Sequence, residues 1–275
     1  MKPARFDYVA ADSLDEALDV LSQEGAEACV LAGGQSLIAM LNMRLVKPKV
    51  VVDISRIPGL DDIAAEDGGL TVGAAATQRS LLEHPGLPRS HPLLARALPW
   101  VGHFQTRSRG TVCGSIAHAD PSSELPLCLA LLGGEVRLRS KAGQRRLAAR
   151  DFQTGMLCTA RADDELIEAV HFPAVEAGAG YAFTEFGYRH GDFAVVAVAV
   201  AVSAGKLRIG VGGMTDRPEV RELPMVAGDA LDDVLNDLAW ELKGADDQHA
   251  TARYRRELLR RLGKHAIEEA MQCRG

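Results

Sequence analysis

Ala28-Cys29-Val30-Leu31-Ala32 runs directly into Gly33-Gly34-Gln35-Ser36 and then into Leu37-Ile38-Ala39-Met40-Leu41. The first five residues read as a buried strand, the glycine pair as a tight turn, and the last stretch as the opening of a helix. Glycine tolerates positive φ and lacks a Cβ, so main-chain N–H groups at such a turn can point outward to an approaching group. With the positive end of a helix behind it, the turn suits an anion, in particular a pyrophosphate. The spacing matches neither the G-x-G-x-x-G fingerprint nor a P-loop with its lysine. Taken alone, these residues fit a bare tight turn equally well.

Around this turn the pattern is helix, strand, turn, helix, strand. Upstream, Ser13 and Glu16 form a capping box for an amphipathic helix stopped by Gly25. Downstream, Lys47-Pro48 ends the second helix, and Val50 to Ile54 forms the next strand. Leu70 to Ala74 reads as a strand and Thr77 to Leu82 as a helix start. Pro85, Pro88, Pro92 and Pro99 then restrict the chain to short helices and turns. Glu135 to Arg139 and Arg145 to Ala148 alternate as a hairpin, and Glu165 to Phe172 is a strand closed by Pro173. The segment 176–180 has the composition of a linker. Beyond it come three strands (Tyr181 to Phe186, Ala194 to Val202, Leu207 to Val211) and two helices with leucine stripes. A domain over 1–172 and a second over 173–275 follow.

Composition narrows the function. The chain has 275 residues, 47% apolar and 25% charged, the balance of an ordinary globular protein with room for two cores. Thirty-one basic against 37 acidic residues leave a net charge of −6, the wrong sign for neutralising phosphates, so no nucleic acid partner is expected. The longest apolar run, Phe193 to Val202, is about half of the roughly 18–20 residues that span a bilayer. The first residues carry no apolar signal segment, which points to the cytoplasm. Five cysteines without a C-x-x-C pair, and eight scattered histidines, offer no metal or cluster site within this chain.

The segment from Gln105 to Glu124 is the second place to look, and reads as a loop rich in small and polar residues with few charges after Arg109. Thr111 and Ser115 offer hydroxyls, Gly110 and Gly114 offer open backbone, and Glu124 offers a carboxylate for a ribose hydroxyl. His118 and Asp120 fit loop-ordering roles better than acid–base ones, and Arg107 and Arg109 are as well explained by solvation as by a phosphate.

Ala32-Gly33-Gly34-Gln35-Ser36, the run Thr111 to Pro126 (T-x-x-G-S-I-A-H-A-D-P-x-x-E-L-P) and Arg189-His190-Gly191-Asp192-Phe193-Ala194 occur here in one order along nearly the whole chain. In this the sequence resembles the FAD-binding medium subunit of the molybdenum hydroxylases, the family of xanthine dehydrogenase and aerobic carbon monoxide dehydrogenase. The resemblance implies an α+β fold. A two-subdomain FAD-binding domain of the p-cresol methylhydroxylase type would precede a small C-terminal domain with a three-stranded antiparallel sheet and helices. It implies that Val30, Leu31, Ala32, Gly33, Gly34, Gln35, Ser36 and Leu37 wrap the FAD pyrophosphate. Thr111, Val112, Cys113, Gly114 and Ser115 would form a second clasp, with Glu124 on a ribitol or ribose hydroxyl. Val101, Ile167, Thr184 and Phe193 would stand near the flavin.

Two positions depart from the family pattern. Cys113 stands where a glycine is usual, and a positive φ there would strain it by about 1–2 kcal/mol. Thr184 stands where some members have a lysine. The implied function is electron transfer with no catalytic side chain in this chain. An iron–sulfur small subunit with [2Fe–2S] clusters and a molybdenum-cofactor large subunit carrying molybdopterin would be its partners, in a dimer of heterotrimers, with NAD or a quinone as external acceptor. A stand-alone flavoprotein oxidoreductase and a non-catalytic assembly subunit that has lost FAD are the alternatives.

Overall fold

Parallel strands need crossovers, and the start of the chain provides two. In the computed structural model, which describes residues 2–274, strands β1 (Asp7–Ala10), β2 (Ala28–Leu31) and β3 (Val50–Asp53) form a parallel sheet in the order β1-β3-β2. Helix Leu14–Glu24 makes the first crossover. Ser13 Oγ accepts from Glu16 N at 3.2 Å, and Ala17, Leu18 and Leu21 are buried in one core with Val50 and Val52. Helix Leu37–Asn42 makes the second and leaves the glycine turn at the carboxyl end of β2.

Strands β4 (Ile63–Glu66), β5 (Gly69–Gly73), β6 (Glu135–Ser140) and β7 (Gly143–Ala148) belong to a second, antiparallel sheet. A small hairpin, β8 (Gln153–Gly155) with β9 (Cys158–Thr159), precedes β10 (Leu166–Phe172), and the five-stranded order is β4-β5-β10-β6-β7. Short helices pack on it between residues 78 and 132. The stretch expected to be a loop is in fact partly helical, with helices Phe104–Arg107 and Val112–His118. Thr111 caps the latter, its Oγ1 accepting from Gly114 N at 3.0 Å. Helix Glu124–Leu132 is buried on nearly every side, which explains why it shows no amphipathic period in the sequence.

The C-terminal sheet has four strands, not three. β11 (Gly180–Phe186), β12 (Val196–Ser203), β13 (Lys206–Gly212) and β14 (Glu219–Leu223) follow one another as a meander. β14 escaped a reading based on hydrophobicity because it is a charged edge strand, Glu-Val-Arg-Glu-Leu, whose Arg221 pairs with Glu219 and Glu241.

β12 explains the apolar run with small side chains. Ala197, Ala199 and Ala201 share a core with Leu94, Leu127 and Leu131, while Val196, Val198, Val200 and Val202 share another with Leu235, Leu259 and Ile267. Each face of the sheet is therefore covered, one by the short helices of the first half of the chain, the other by helices Asp229–Leu242 and Ala252–Gln272. A strand covered on both faces is apolar throughout, and here the alternation is one of size rather than of polarity. One core thus runs across position 173. Among the described residues no helix is long and apolar enough to cross a membrane, and no group of His, Cys, Asp and Glu side chains is arranged to hold a metal.

The small face of β12 leaves no room for growth. Ala199 is fully buried, and Ala199→Leu is expected to destabilise the chain by about 1–3 kcal/mol, measured by urea unfolding, while Val200→Ile on the other face costs less.

Candidate functional site

A cavity of about 660 Å³ opens where the parallel sheet, the five-stranded sheet and the segment after β11 meet. Apart from Leu31, Val112 and Thr184, every residue expected at the site lines it: Val30, Ala32 to Leu37, Val101, Thr111, Cys113 to Ser115, Glu124, Ile167 and Phe193. Leu31 turns its side chain under the glycine turn, 3.2 Å from where a Cβ on Gly34 would stand, and Val112 is fully buried in the core. Thr184 is excluded by strand alternation. Tyr181 and Phe183 face the helices of the first half, so Ala182, Thr184 and Phe186 face the C-terminal helices.

The two glycine-containing segments touch. A Cβ on Gly33 would stand 2.1 Å from Arg109 O and 2.7 Å from Gly110 Cα, distances no side chain can occupy. The second segment is held in register by main-chain bonds from Gln78 N to Gly110 O at 2.8 Å and from Val112 N to Ala76 O at 3.0 Å. Gly34 has φ +71°, the left-handed value that lets the chain leave β2 and enter the helix. Among the described residues, no protein acceptor takes the main-chain N–H of Gly33, Gly34, Gln35 or Ser36. Unpaired backbone donors facing a cavity are a site for an anionic ligand.

Cys113 does not have the positive φ that would strain it. It lies in helix Val112–His118, and its thiol points inward, donating to Val72 O at 3.4 Å and Gly73 O at 3.5 Å. Burial pushes that thiol up to about 12, so it stays protonated and inert. Val101 is fixed by Arg107, which donates to Val101 O and Gly102 O, both at 2.9 Å, so Arg107 staples the cavity wall rather than waiting for a phosphate. Ile167 sits at a bulge in β10, where the pairing with β6 shifts register.

Glu124 begins its helix beside the cavity and is 4% exposed. Among the described residues no side-chain hydrogen bond reaches its carboxyl. Burial, reinforced by Asp120 and opposed by Arg107, pushes it up to about 7. Glu185, buried on the same face of β11 as Tyr181 and Phe183 and outside the cavity lining, is pushed up to about 9 by burial and then by the charge of Glu124. Its Oε2 has no hydrogen-bond partner. At neutral pH Glu185 is therefore a neutral acid, and Glu124 is the member of the pair that titrates.

Several lining residues were not legible beforehand: Cys29, Met40, Gln78, Thr106 and Arg161. Arg161 is held by bonds to Ala162 O at 2.7 Å and Glu165 O at 2.6 Å. Gln78 follows Thr77, which forms a capping box with Ser80, a local pattern that identifies a helix start and says nothing of a cavity. Gly191 and Asp192 belong to the motif around Phe193, and Gly191 packs against Gly102 O and the His103 ring.

Residues 4–175 match the family model described as the FAD binding domain in molybdopterin dehydrogenase. The chain is 34% identical to the 6-hydroxypseudooxynicotine dehydrogenase complex subunit alpha of Paenarthrobacter nicotinovorans, covering 98% of this chain and 96% of that one. It is 32% identical to the carbon monoxide dehydrogenase medium chain of Afipia carboxidovorans over 98% of both. Among solved structures, a carbon monoxide dehydrogenase from Hydrogenophaga pseudoflava superposes with a TM-score of 0.94 at 30% identity over 100% of both chains. Quinoline 2-oxidoreductase from Pseudomonas putida 86 gives 0.93 at 31% over 99% of both.

The buried carboxyls make the ligand-free chain sensitive to base. Both hold their protons more tightly folded than unfolded, so their contribution is complete below the ordinary glutamate range near pH 4.5 and is lost as pH rises through about 7 and then about 9. Glu185→Gln is expected to leave stability unchanged at pH 5 and raise it at pH 9, by about 2–4 °C in melting temperature for each kcal/mol recovered.

Proposed function

The chain belongs to the family of FAD-binding domains of molybdopterin dehydrogenases, and from that premise we propose that it is the FAD-binding electron-transfer subunit of a heterotrimeric molybdenum-containing hydroxylase or dehydrogenase. The observation that carries the reading is the contact between the two glycine segments, which gathers unpaired main-chain N–H groups on one cavity.

The residues present fit FAD. Gly33 to Ser36 would hold the diphosphate by N–H groups, without a basic side chain. Thr111 to Ser115 would close the other side, and Glu124 has a free acceptor for a sugar or ribityl hydroxyl. Val101, Ile167 and Phe193 supply apolar contact for a flavin ring, and Phe193, 59% exposed, stands at the mouth, where a ring edge would meet an electron partner. The parallel sheet on one side of the cavity and the five-stranded sheet on the other support the two-subdomain division of residues 1–172. Residues 173–275 are the C-terminal domain, which contributes Gly191 to Phe193.

Bound FAD would supply two-electron redox chemistry and join one-electron donors to a two-electron acceptor. The chain itself fixes the diphosphate, seals the inner wall with Cys113 and the core, and keeps Glu185 uncharged behind Glu124. The relatives are named as subunits of dehydrogenase complexes, or as medium chains. Accordingly the iron–sulfur small subunit with [2Fe–2S] clusters and the molybdopterin large subunit are the proposed partners, in a cytoplasmic dimer of heterotrimers, with NAD or a quinone as acceptor. Cys113, unstrained, gives no reason to think that FAD has been lost.

The purified full chain is expected to be yellow and to release FAD on denaturation. Gly33→Ala, which sets a methyl against Arg109 O, is expected to lower FAD affinity by tenfold or more, on the order of 1.4 kcal/mol, at nearly unchanged circular dichroism. A colourless chain that takes up no added FAD would exclude the proposal. Expressed with its partners, the chain is expected to copurify with iron and molybdenum.

A further inference from the structure

Gln78 is 5% exposed, and its Oε1 is sealed from solvent with no hydrogen-bond partner. Among the described residues its side chain makes no hydrogen bond at all, although it lines the cavity. Leaving a buried amide unpaired is costly, and a glutamine kept for structure would have found a partner. The backbone around it is firmly held. Gln78 N donates to Gly110 O at 2.8 Å, and Thr77 and Ser80 cap each other on either side.

The position of the carboxamide identifies what it faces. A Cβ on Gly110 would stand 3.0 Å from Gln78 Oε1 and 3.3 Å from its Cδ. Gly110 adjoins Arg109, whose carbonyl abuts Gly33. The side chain therefore ends at the seam where the two glycine segments meet, beside the unpaired N–H groups of residues 33–36. Since Oε1 is the sealed end, the end left to the cavity is Nε2, which has two N–H donors and, among the described residues, nothing to accept them. A donor of this kind, beside other unpaired donors, matches a ligand that presents only acceptors.

We infer that Gln78 is a cofactor-binding residue whose Nε2–H donates to an oxygen of the diphosphate of a bound flavin nucleotide. This rests on the reading of the cavity as a flavin nucleotide site. It adds a neutral side-chain donor to a clasp otherwise made of main chain, from a helix that belongs to neither glycine segment.

The test uses the full chain stripped of flavin, with FAD affinity read from flavin fluorescence and ADP affinity from competition against FAD. Gln78→Met keeps the length and removes the donors. It is expected to weaken FAD and ADP by the same factor, about tenfold or more for a hydrogen bond to a charged group. The melting temperature of the ligand-free chain should stay equal or rise, because an unpaired buried amide has gone. Gln78→Glu, which sets a carboxylate against the diphosphate, is expected to weaken both ligands further than Met. Wild-type binding of FAD with unchanged affinity in Gln78→Met would overturn the inference while leaving the flavin reading intact. So would a loss for FAD without a loss for ADP, or Gln78→Glu binding as tightly as wild type. A wild-type chain that binds neither ligand would overturn the reading of the cavity, and this inference with it.

Discussion

The site depends on a missing atom. Gly33 and the Arg109 carbonyl lie so close that the space a Cβ would need is filled by another part of the chain. Everything on that wall follows from the approach. The turn after β2 and the cap of helix Val112–His118 become one surface, the unpaired N–H groups of the turn lie on the cavity, and Gln78 is trapped at the seam. Hydrophobic burial alone would bring the sheets together, but only a side chain reduced to hydrogen lets two backbones share that seam.

A second constraint is electrostatic. Glu124, at the start of its helix, and Glu185, on β11, are two buried carboxyls in surroundings that disfavour charge. The chain accommodates them by letting one titrate near neutrality while the other stays protonated. Pairing parity on β11 decides which residue joins that pair: the expected Thr184 faces the C-terminal helices, and its neighbour Glu185 faces the helices of the first half. A shift of one position along a strand thus exchanges a hydroxyl on the far face for an acid on the near one.

Much of this was legible in the sequence for identifiable physical reasons. The β2 turn and the helix after it were readable because their signals are local: an apolar run, two glycines, another apolar run. The second clasp was readable as a place but not as a structure. Its small residues resemble a loop, and Thr111 capping Gly114 is visible only once the helix is drawn. Helix Glu124–Leu132 has no polar face to reveal its period, and β14 has too many charges to look like a strand. Gln78 and Glu185 lay beyond any local pattern, since each matters through a neighbour some thirty to sixty positions away. The cysteine in the second clasp looked strained only while its backbone was assumed to follow a glycine.

The double-sided burial of β12 also bears on how the molecule comes into being. While the chain emerges from the ribosome, the short helices of its first half have no alanine-lined wall to pack against until β12 has been synthesised, so a large part of that core waits uncovered. The polypeptide must therefore pass through a sticky, half-finished stage during translation, which ends only once β12 has been made and its alanines can seat the helices.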